Sequence, residues 1–241
     1  MNLVTLSFFS NLGEKFYESF IYQNRGKYIV DGLKLTLLIT LVAVVIGVVL
    51  GTIVALIKVA HAANPKKLRI SNAICSFYLT VIRGTPIVVQ LLIVYFIILL
   101  PFKGTNLNLT ACFIAFGINS GAYVAEVIRS GIQSVDHGQI EAGRSLGLSQ
   151  RTTMIKIVFP QALKNVLPAI GNEFIALLKE TSIAGYIGVQ DMTKGGDVIR
   201  SITYDPYTSL LSVAAIYLVI VIIITQLLNR LERRLRRSDK R

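Results

Sequence analysis

Four charge-free stretches, Leu35 to Ile57, Gly84 to Phe102, Thr105 to Ala125 and Pro206 to Asn229, are each close to the ~20 apolar residues a helix needs to cross hydrocarbon. They predict membrane-spanning helices rather than the core of a soluble domain. A fifth stretch, Ile157 to Leu178, is apolar overall but interrupted by Lys164 and Glu173, and reads as a weaker span. Between the first and second stretches, Ile70 to Ile82 is charge-free for only 13 residues, too short to cross. It predicts a helix that enters the bilayer partway and breaks at Gly84 and Pro86, because glycine permits an unusual turn and proline removes a backbone donor. Broken backbone at membrane depth survives only where protein or a cavity covers it. Arg83-Gly84-Thr85-Pro86 is thus either a plain hinge or part of a pathway lining.

The pattern changes between the third and fourth apolar stretches, where a polar loop carries its own helix signals. Asp136 followed by Gln139 predicts a capping box that starts a helix running from Gln139 to Leu148, and Pro160 begins or bends the next helix. Ala142, Gly143 and Gly147 place small residues on that loop helix, which suits close approach of another protein's backbone. In the first span Gly47 and Gly51 form a GxxxG pair, read as local packing with no assigned partner. Phe8, Phe9, Phe16, Tyr17, Phe20 and Tyr22 predict an amphipathic helix at the outer interface, where aromatic rings are favoured.

Composition agrees with a single membrane domain: 53% of the 241 residues are hydrophobic and 16% are charged. The formal charge of +12 does not imply nucleic acid, because the basic residues cluster beside the apolar stretches and no basic domain interleaved with aromatics exists to bind it. Topology explains them better. With five spans and the amino terminus outside, fifteen Lys and Arg residues face the cytosol and eight face outward, with Arg83 and Lys164 near the membrane segments. This orientation puts the loop containing Glu141 and the carboxyl terminus inside. The expected organisation is an external segment at 1–30, a membrane domain at 31–230 and a basic cytosolic tail at 231–241. Its spans fall at about 31–57, 86–102, 106–128, 157–178 and 206–229, with the cytosolic loop at 129–156. The first apolar segment starts beyond residue 30 with no small-residue cleavage site after it, so it is expected to stay as an anchor. Cys75 and Cys112 give neither a disulfide framework nor a metal spacing and are assigned no role.

Glu141-Ala142-Gly143, Gly147, and then Ile157 and Pro160 after a nine-residue interval reproduce the "EAA" loop of importer permeases. With Arg83-Gly84-Thr85-Pro86, the stretch Tyr123 to Arg129, the run Ser145 to Ser149 and Leu178 to Ser182, the chain resembles the transmembrane permease of bacterial polar amino acid ABC importers of the histidine/glutamine/arginine type. Gly143 departs from that motif, which has a second alanine there, but the position stays small. The resemblance implies an all-α type I importer permease with a cytosolic coupling helix. It implies docking of an ABC ATPase through the loop at 136–160, where Gln139, Glu141, Ala142, Gly143, Gly147 and Pro160 are the candidate residues. It also implies a second permease chain, identical or paralogous, an external amino acid binding protein, and ATP with Mg in the partner ATPase. The residues independently require such a partner, because no G-x-x-x-x-G-K-[ST] loop occurs in the chain.

A zwitterionic substrate crossing hydrocarbon needs an anion for its ammonium and a cation or donors for its carboxylate, which singles out ionisable and amide side chains within spans. Asn119, Tyr123 and Glu126 share one face of the third span at i, i+4 and i+7. Arg83, Asn172, Glu173, Lys179 and Glu180 complete the candidates, with Lys179 for the carboxylate and Glu180 or Glu173 for the ammonium. The competing reading is packing, with Glu126 paired to Arg129 and Glu173 to a lysine of a neighbouring helix. An ion-coupled secondary transporter or a channel subunit are the rival functions. Two repeated halves would mark the first, and only Ile70 to Ile82 is short enough to be a filter helix for the second.

Overall fold

The computed structural model describes residues 11–102 and 104–237. Phe8, Phe9 and the last four residues of the basic tail lie outside them. The elements are helical throughout: α1 Leu12–Phe16, α2 Gly26–Ala63, α3 Arg69–Gly84, α4 Ile87–Phe102, α5 Leu107–Gln133, α6 His137–Ser145, α7 Gln150–Thr153, α8 Phe159–Glu180, α9 Met192–Thr203 and α10 Pro206–Arg237. The amino-terminal aromatics do fall on helical turns, with Phe16, Tyr17 and Tyr22 exposed and Phe20 half-buried. At the other end α10 runs without a break through the polar boundary at Asn229 and into the basic tail.

α2 and α5 form the centre of the molecule, and glycines on both helices make their close approach possible. A Cβ on Gly47 would lie 2.7 Å from the Cβ of Ser120, and one on Gly51 would lie 2.8 Å from the Cβ of Val124. The relation is reciprocal, since Gly117 and Gly121 of α5 accommodate Ile46 and Leu50 of α2. The Gly47/Gly51 pair therefore has a definite partner, a second GxxxG on α5 that the sequence reading did not match to it. Ile39, Ala43, Cys112, Ala115 and Phe116 continue this buried seam toward the other end.

The broken second segment is a helix pair bent by 108°. α3 is longer than the charge-free run, starting at Arg69 and keeping Gly84 as its last helical residue, so the break sits at Thr85 and Pro86, both extended. The physical reason is the proline, which lacks a donor and pushes the residue before it out of the helical region. Gln90 then bridges the break: its side-chain amide donates to the carbonyls of Ile82 at 2.8 Å and Thr85 at 3.0 Å, and to the Thr85 hydroxyl at 2.8 Å. The chain past the break supplies a donor for carbonyls that the missing turn leaves unpaired.

Among the described residues, three helices (α2, α5 and α10) are long and apolar enough to cross a membrane, or four if the bent pair α3 and α4 counts as one span. The expected span at 157–178 is helical but does not reach that standard, because α8 carries Lys164, Asn165, Asn172, Glu173 and Lys179. Helical structure also begins earlier than Ile157. α7 passes through a widened turn, Met154–Val158, directly into α8, with Phe159 N–H bonding to the carbonyl of Met154, five residues back. This widening accommodates Pro160, which cannot donate to a carbonyl four residues back.

α9 is an element that the apolar pattern does not announce. Asp191 caps it, accepting from the N–H groups of Thr193 at 2.9 Å and Lys194 at 3.1 Å. The helix seats on the amino-terminal part of α2, where Gly32 leaves room for the Asp191 backbone and Gly195 for the backbone of Tyr28. Met192 N–H donates to the Thr36 hydroxyl at 3.1 Å.

Candidate functional site

The loop between α5 and α8 consists of two capped helices joined by a tight turn. Asp136 is the N-cap, as its position suggests, but it accepts from Gly138 N–H at 2.8 Å, one residue earlier than a capping box requires, and α6 starts at His137, two residues before the Gln139 expected. α6 ends at Ser145, before the Leu148 expected. Leu148 N–H bonds to the carbonyl of Gly143 at 3.1 Å and Gly147 N–H to that of Arg144 at 3.0 Å, a Schellman closure with Gly147 at φ +81°. Ser149 caps α7 through Thr152 N–H at 3.1 Å.

This geometry gives two of the small residues roles within the chain. Gly147 is expected to add a small residue to a contact face; within this chain a Cβ there would meet nothing within 4 Å, and the left-handed turn by itself favours glycine. Gly143 is buried inside the chain, where a Cβ would lie 3.0 Å from both Ile157 and Thr153, so its smallness seats α6 on the helical run that becomes α8. Gln139, Glu141, Ala142 and Pro160 are exposed, with Glu141 3.2 Å from the His137 ring. Leu146, absent from the sequence candidates, is 81% exposed and is the most prominent apolar side chain of the loop. A leucine at the C-cap carried no signal beyond its hydrophobicity.

The polar candidates fall in two groups on either flank of α5. Arg83, at the end of α3, sits 5.7 Å from the centre of the Tyr123 ring and 3.8 Å from the carboxylate of Glu126. Glu126 is paired with Arg129 at 2.6 Å, and Arg129 also donates to Gln133 at 2.7 Å. Asn119, 4% exposed, donates to Gln90 at 3.0 Å. The structure therefore joins Arg83, Tyr123 and Glu126 at the α3–α4 break, and Asn119 joins them through Gln90, which the sequence reading missed. The Glu126–Arg129 pair expected from packing is present as well. On the other flank Glu173 lies half-buried beside Ser120 and near Glu180, with Lys179 next to Glu180 in sequence and exposed. Asn172 is exposed.

Charge is arranged differently on α9. Lys194 at 2.8 Å and Arg200 at 2.6 Å flank Asp197 and hold its carboxyl below the ordinary carboxylate range. Asp191, buried beneath the same helix, has its carboxyl pushed up by burial, against the opposing hydrogen bonds from the backbone of Thr193 and Lys194.

The family model of the binding-protein-dependent transport system inner membrane component matches residues 47–237, which include the bent segment, α5 with its glycines and the doubly capped loop. The chain belongs to this family. This inner membrane component is accordingly a transport subunit, and ATP hydrolysis belongs to a separate chain. It is 39% identical over 214 residues to the arginine transport system permease protein ArtQ of Bacillus subtilis, covering 88% of this chain and 94% of that protein. The putative glutamine transport system permease protein GlnP of Rickettsia bellii is 37% identical over 210 residues, with 86% and 93% covered. Among solved structures, an amino acid ABC transporter with histidines superposes with a TM-score of 0.78 at 44% identity, covering 87% of this chain and 94% of that one. The MetNI methionine ABC transporter in an inward-facing conformation shares the fold, with a TM-score of 0.70 at 22% identity over 86% and 95% of the two chains.

Proposed function

We propose that this inner membrane component is the permease of an ATP-driven importer of polar amino acids. The observation that carries this reading is the 44% identity over 87% of the chain to an amino acid ABC transporter. Relatives named for glutamine and arginine support the same class. In this reading the chain crosses the membrane five times with its amino terminus outside, and α8 spans despite its polar residues because they face the protein interior or the pathway. A second permease chain, an external binding protein and an ATPase holding ATP and Mg complete the importer.

Coupling follows from the geometry of the loop. An ATPase engaging α6 through Leu146, Glu141 and Ala142 would move α6 as a unit, and Gly143 transfers that motion to Thr153 and Ile157. From Gln150 to Glu180 the chain is helical without interruption, a rod of about 45 Å that reaches Glu173 and Glu180. The same movement reaches α5 through its contacts with α8, and so the Arg83, Tyr123 and Glu126 cluster at the break.

The reading is tested by reconstituting the chain with a candidate ATPase and binding protein and following uptake of labelled glutamine, arginine and histidine. ATP-dependent uptake of at least one is expected. Uptake driven by an ion gradient without ATP would instead assign a secondary carrier.

A further inference from the structure

A second polar cleft opens at the inner end of the molecule and shares only Glu126 with the cluster at the α3–α4 break. It has a volume of about 500 Å³ and lies between the last turns of α2, the start of α3 and the last turns of α5. Lys58, His61, Asn72, Arg129 and Gln133 supply its polar wall. Glu126 is the single carboxylate on that wall, and it is already engaged by Arg129 at 2.6 Å and Arg83 at 3.8 Å. Positive charge is therefore in excess.

The donors are not exhausted. Lys58 spends one N–H on the Ser76 hydroxyl at 2.9 Å and keeps two. The Nδ1 of His61 donates to the carbonyl of Lys67 at 2.7 Å, so Nε2 is a second donor when the ring is protonated, the form that suits an anion. Position sets the chemistry of that partner. Residues 58–62 and 129–133 follow directly on the apolar stretches of α2 and α5, which is the depth of lipid headgroups rather than of acyl chains. The rim is apolar on one side: Val59 and Ile132 line the cleft, and Leu56, about one turn before Val59 in α2, is 55% exposed.

We propose that this cleft binds the phosphate headgroup of an anionic phospholipid of the inner leaflet, with Lys58, His61 and Arg129 around the phosphate and the acyl chain along Val59 and Leu56. Basic pockets between membrane helices on the cytosolic side suit such headgroups, and each nearby cation contributes about 1 kcal/mol. Inorganic phosphate shares the oxyanion chemistry but gains nothing from the apolar rim. The assignment rests on the proposed orientation, with the carboxyl end of α2 inside.

The test uses the full chain in nanodiscs of phosphatidylglycerol or phosphatidylcholine, followed by detergent release and native mass spectrometry of retained lipid. Wild type is expected to retain phosphatidylglycerol and release phosphatidylcholine. Lys58→Gln, which keeps a donor for Ser76 but loses the charge, should lower retention about fivefold, the equivalent of about 1 kcal/mol. His61→Gln gives an independent reading that leaves the Lys58–Ser76 bond intact, and should also lower it. Lys66→Gln, in the neighbouring exposed loop, should retain lipid as wild type does. Wild-type retention by both cleft variants overturns the proposal, and so does an equal loss in Lys66→Gln, which would mean diffuse surface charge. Binding of inorganic phosphate with no preference for phosphatidylglycerol would make it a small-anion site and overturn the lipid assignment. None of these readouts depends on transport, so failure here leaves the importer reading standing.

Discussion

Asn119 donates its side-chain amide to the Oε1 of Gln90 at 3.0 Å, tying the middle of α5 to the residue that bridges the break between α3 and α4. One side chain thus satisfies carbonyls on the far side of the break and a nearly buried amide on a neighbouring helix. Gln90→Ala leaves those groups unpaired, each at about 1–3 kcal/mol where water cannot reach. A lower midpoint of thermal unfolding in detergent is expected. Because the two side chains share a bond, Gln90→Ala and Asn119→Ala should couple by about 0.5 kcal/mol or more in a double-mutant cycle. Strict additivity would mean that the contact is incidental.

The loop between α5 and α8, the proposed docking element, separates backbone strain from surface exposure at adjacent residues. Gly147 adopts φ +81°, a region that costs an ordinary residue about 1–2 kcal/mol but that asparagine tolerates. Gly147→Asn should therefore fold and couple nearly as wild type, whereas Gly147→Val should destabilise. Leu146→Asp removes an apolar group that projects into solvent, so stability should hold while stimulation of the partner ATPase collapses. Glu141→Ala should be milder, about 0–1 kcal/mol, as expected of an exposed charge. ATPase stimulation unchanged in Leu146→Asp would locate docking elsewhere.

The long apolar elements and the punctuation between them were legible in the sequence. α2, α5 and α10 follow from uninterrupted apolar runs, the break follows from Pro86, and the start of α6 follows from Asp136. What could not be read depends on which residues meet across the fold. The α2 glycines look like a motif of common occurrence until α5 supplies Gly117 and Gly121. α9 is short, with a Gly195-Gly196 pair that would weaken an isolated helix, and those glycines make sense only against the backbone of Tyr28 and the side chain of Val213. Arg83 and Gln90 are separated by a bend whose direction no periodicity encodes.

Two glycines give opposite expectations for the same substitution. Gly121→Ala would place a Cβ 2.8 Å from the Tyr78 hydroxyl and 2.9 Å from Leu50, with α2 and α3 both in the way. Overpacking of this kind costs about 1–3 kcal/mol. Gly84, at the end of α3, has nothing within 4 Å of its Cβ position, so Gly84→Ala should be neutral or stabilise by up to about 1 kcal/mol. Thermal unfolding of the two variants side by side decides it, and a destabilised Gly84→Ala would require an unseen neighbour.

Asp191 links stability to pH with a definite sign. Burial raises its carboxyl above the ordinary value of 3.8, so the folded chain binds that proton more tightly than the unfolded chain. The group's contribution then falls as pH rises from the ordinary value through the folded one. Asp191→Asn keeps an acceptor for the α9 cap and removes the titration, so stability should fall less than in wild type as pH rises through that window, and any loss on acidification should be steeper. Asp191→Ala should also lose the cap, at about 0.5–2 kcal/mol. A profile unchanged across that window in Asp191→Asn would assign the slope to other carboxyls.

The proposed substrate-facing role of α8 rests on Glu173, Lys179 and Glu180, which the helix places on a rod connected to the loop that carries α6. Glu173, half-buried beside Ser120 and near Glu180, is the better placed of the group to meet an ammonium, because a carboxylate away from bulk water gains most from a cation. Lys179 is exposed, so its attraction for a carboxylate is weaker in this chain alone and strengthens only where a second permease chain closes over it. Glu173→Gln should reduce uptake roughly tenfold or more, the equivalent of losing a charged hydrogen bond of about 1.5–3 kcal/mol, and most for basic amino acids. Lys179→Met should act less strongly and uniformly across substrates, since every amino acid carries the carboxylate. Uptake and substrate-stimulated ATP hydrolysis in assembled complexes measure both effects. Wild-type rates for acidic, neutral and basic amino acids in both variants would remove the pathway from α8 and leave Arg83, Asn119, Tyr123 and Glu126 as its lining.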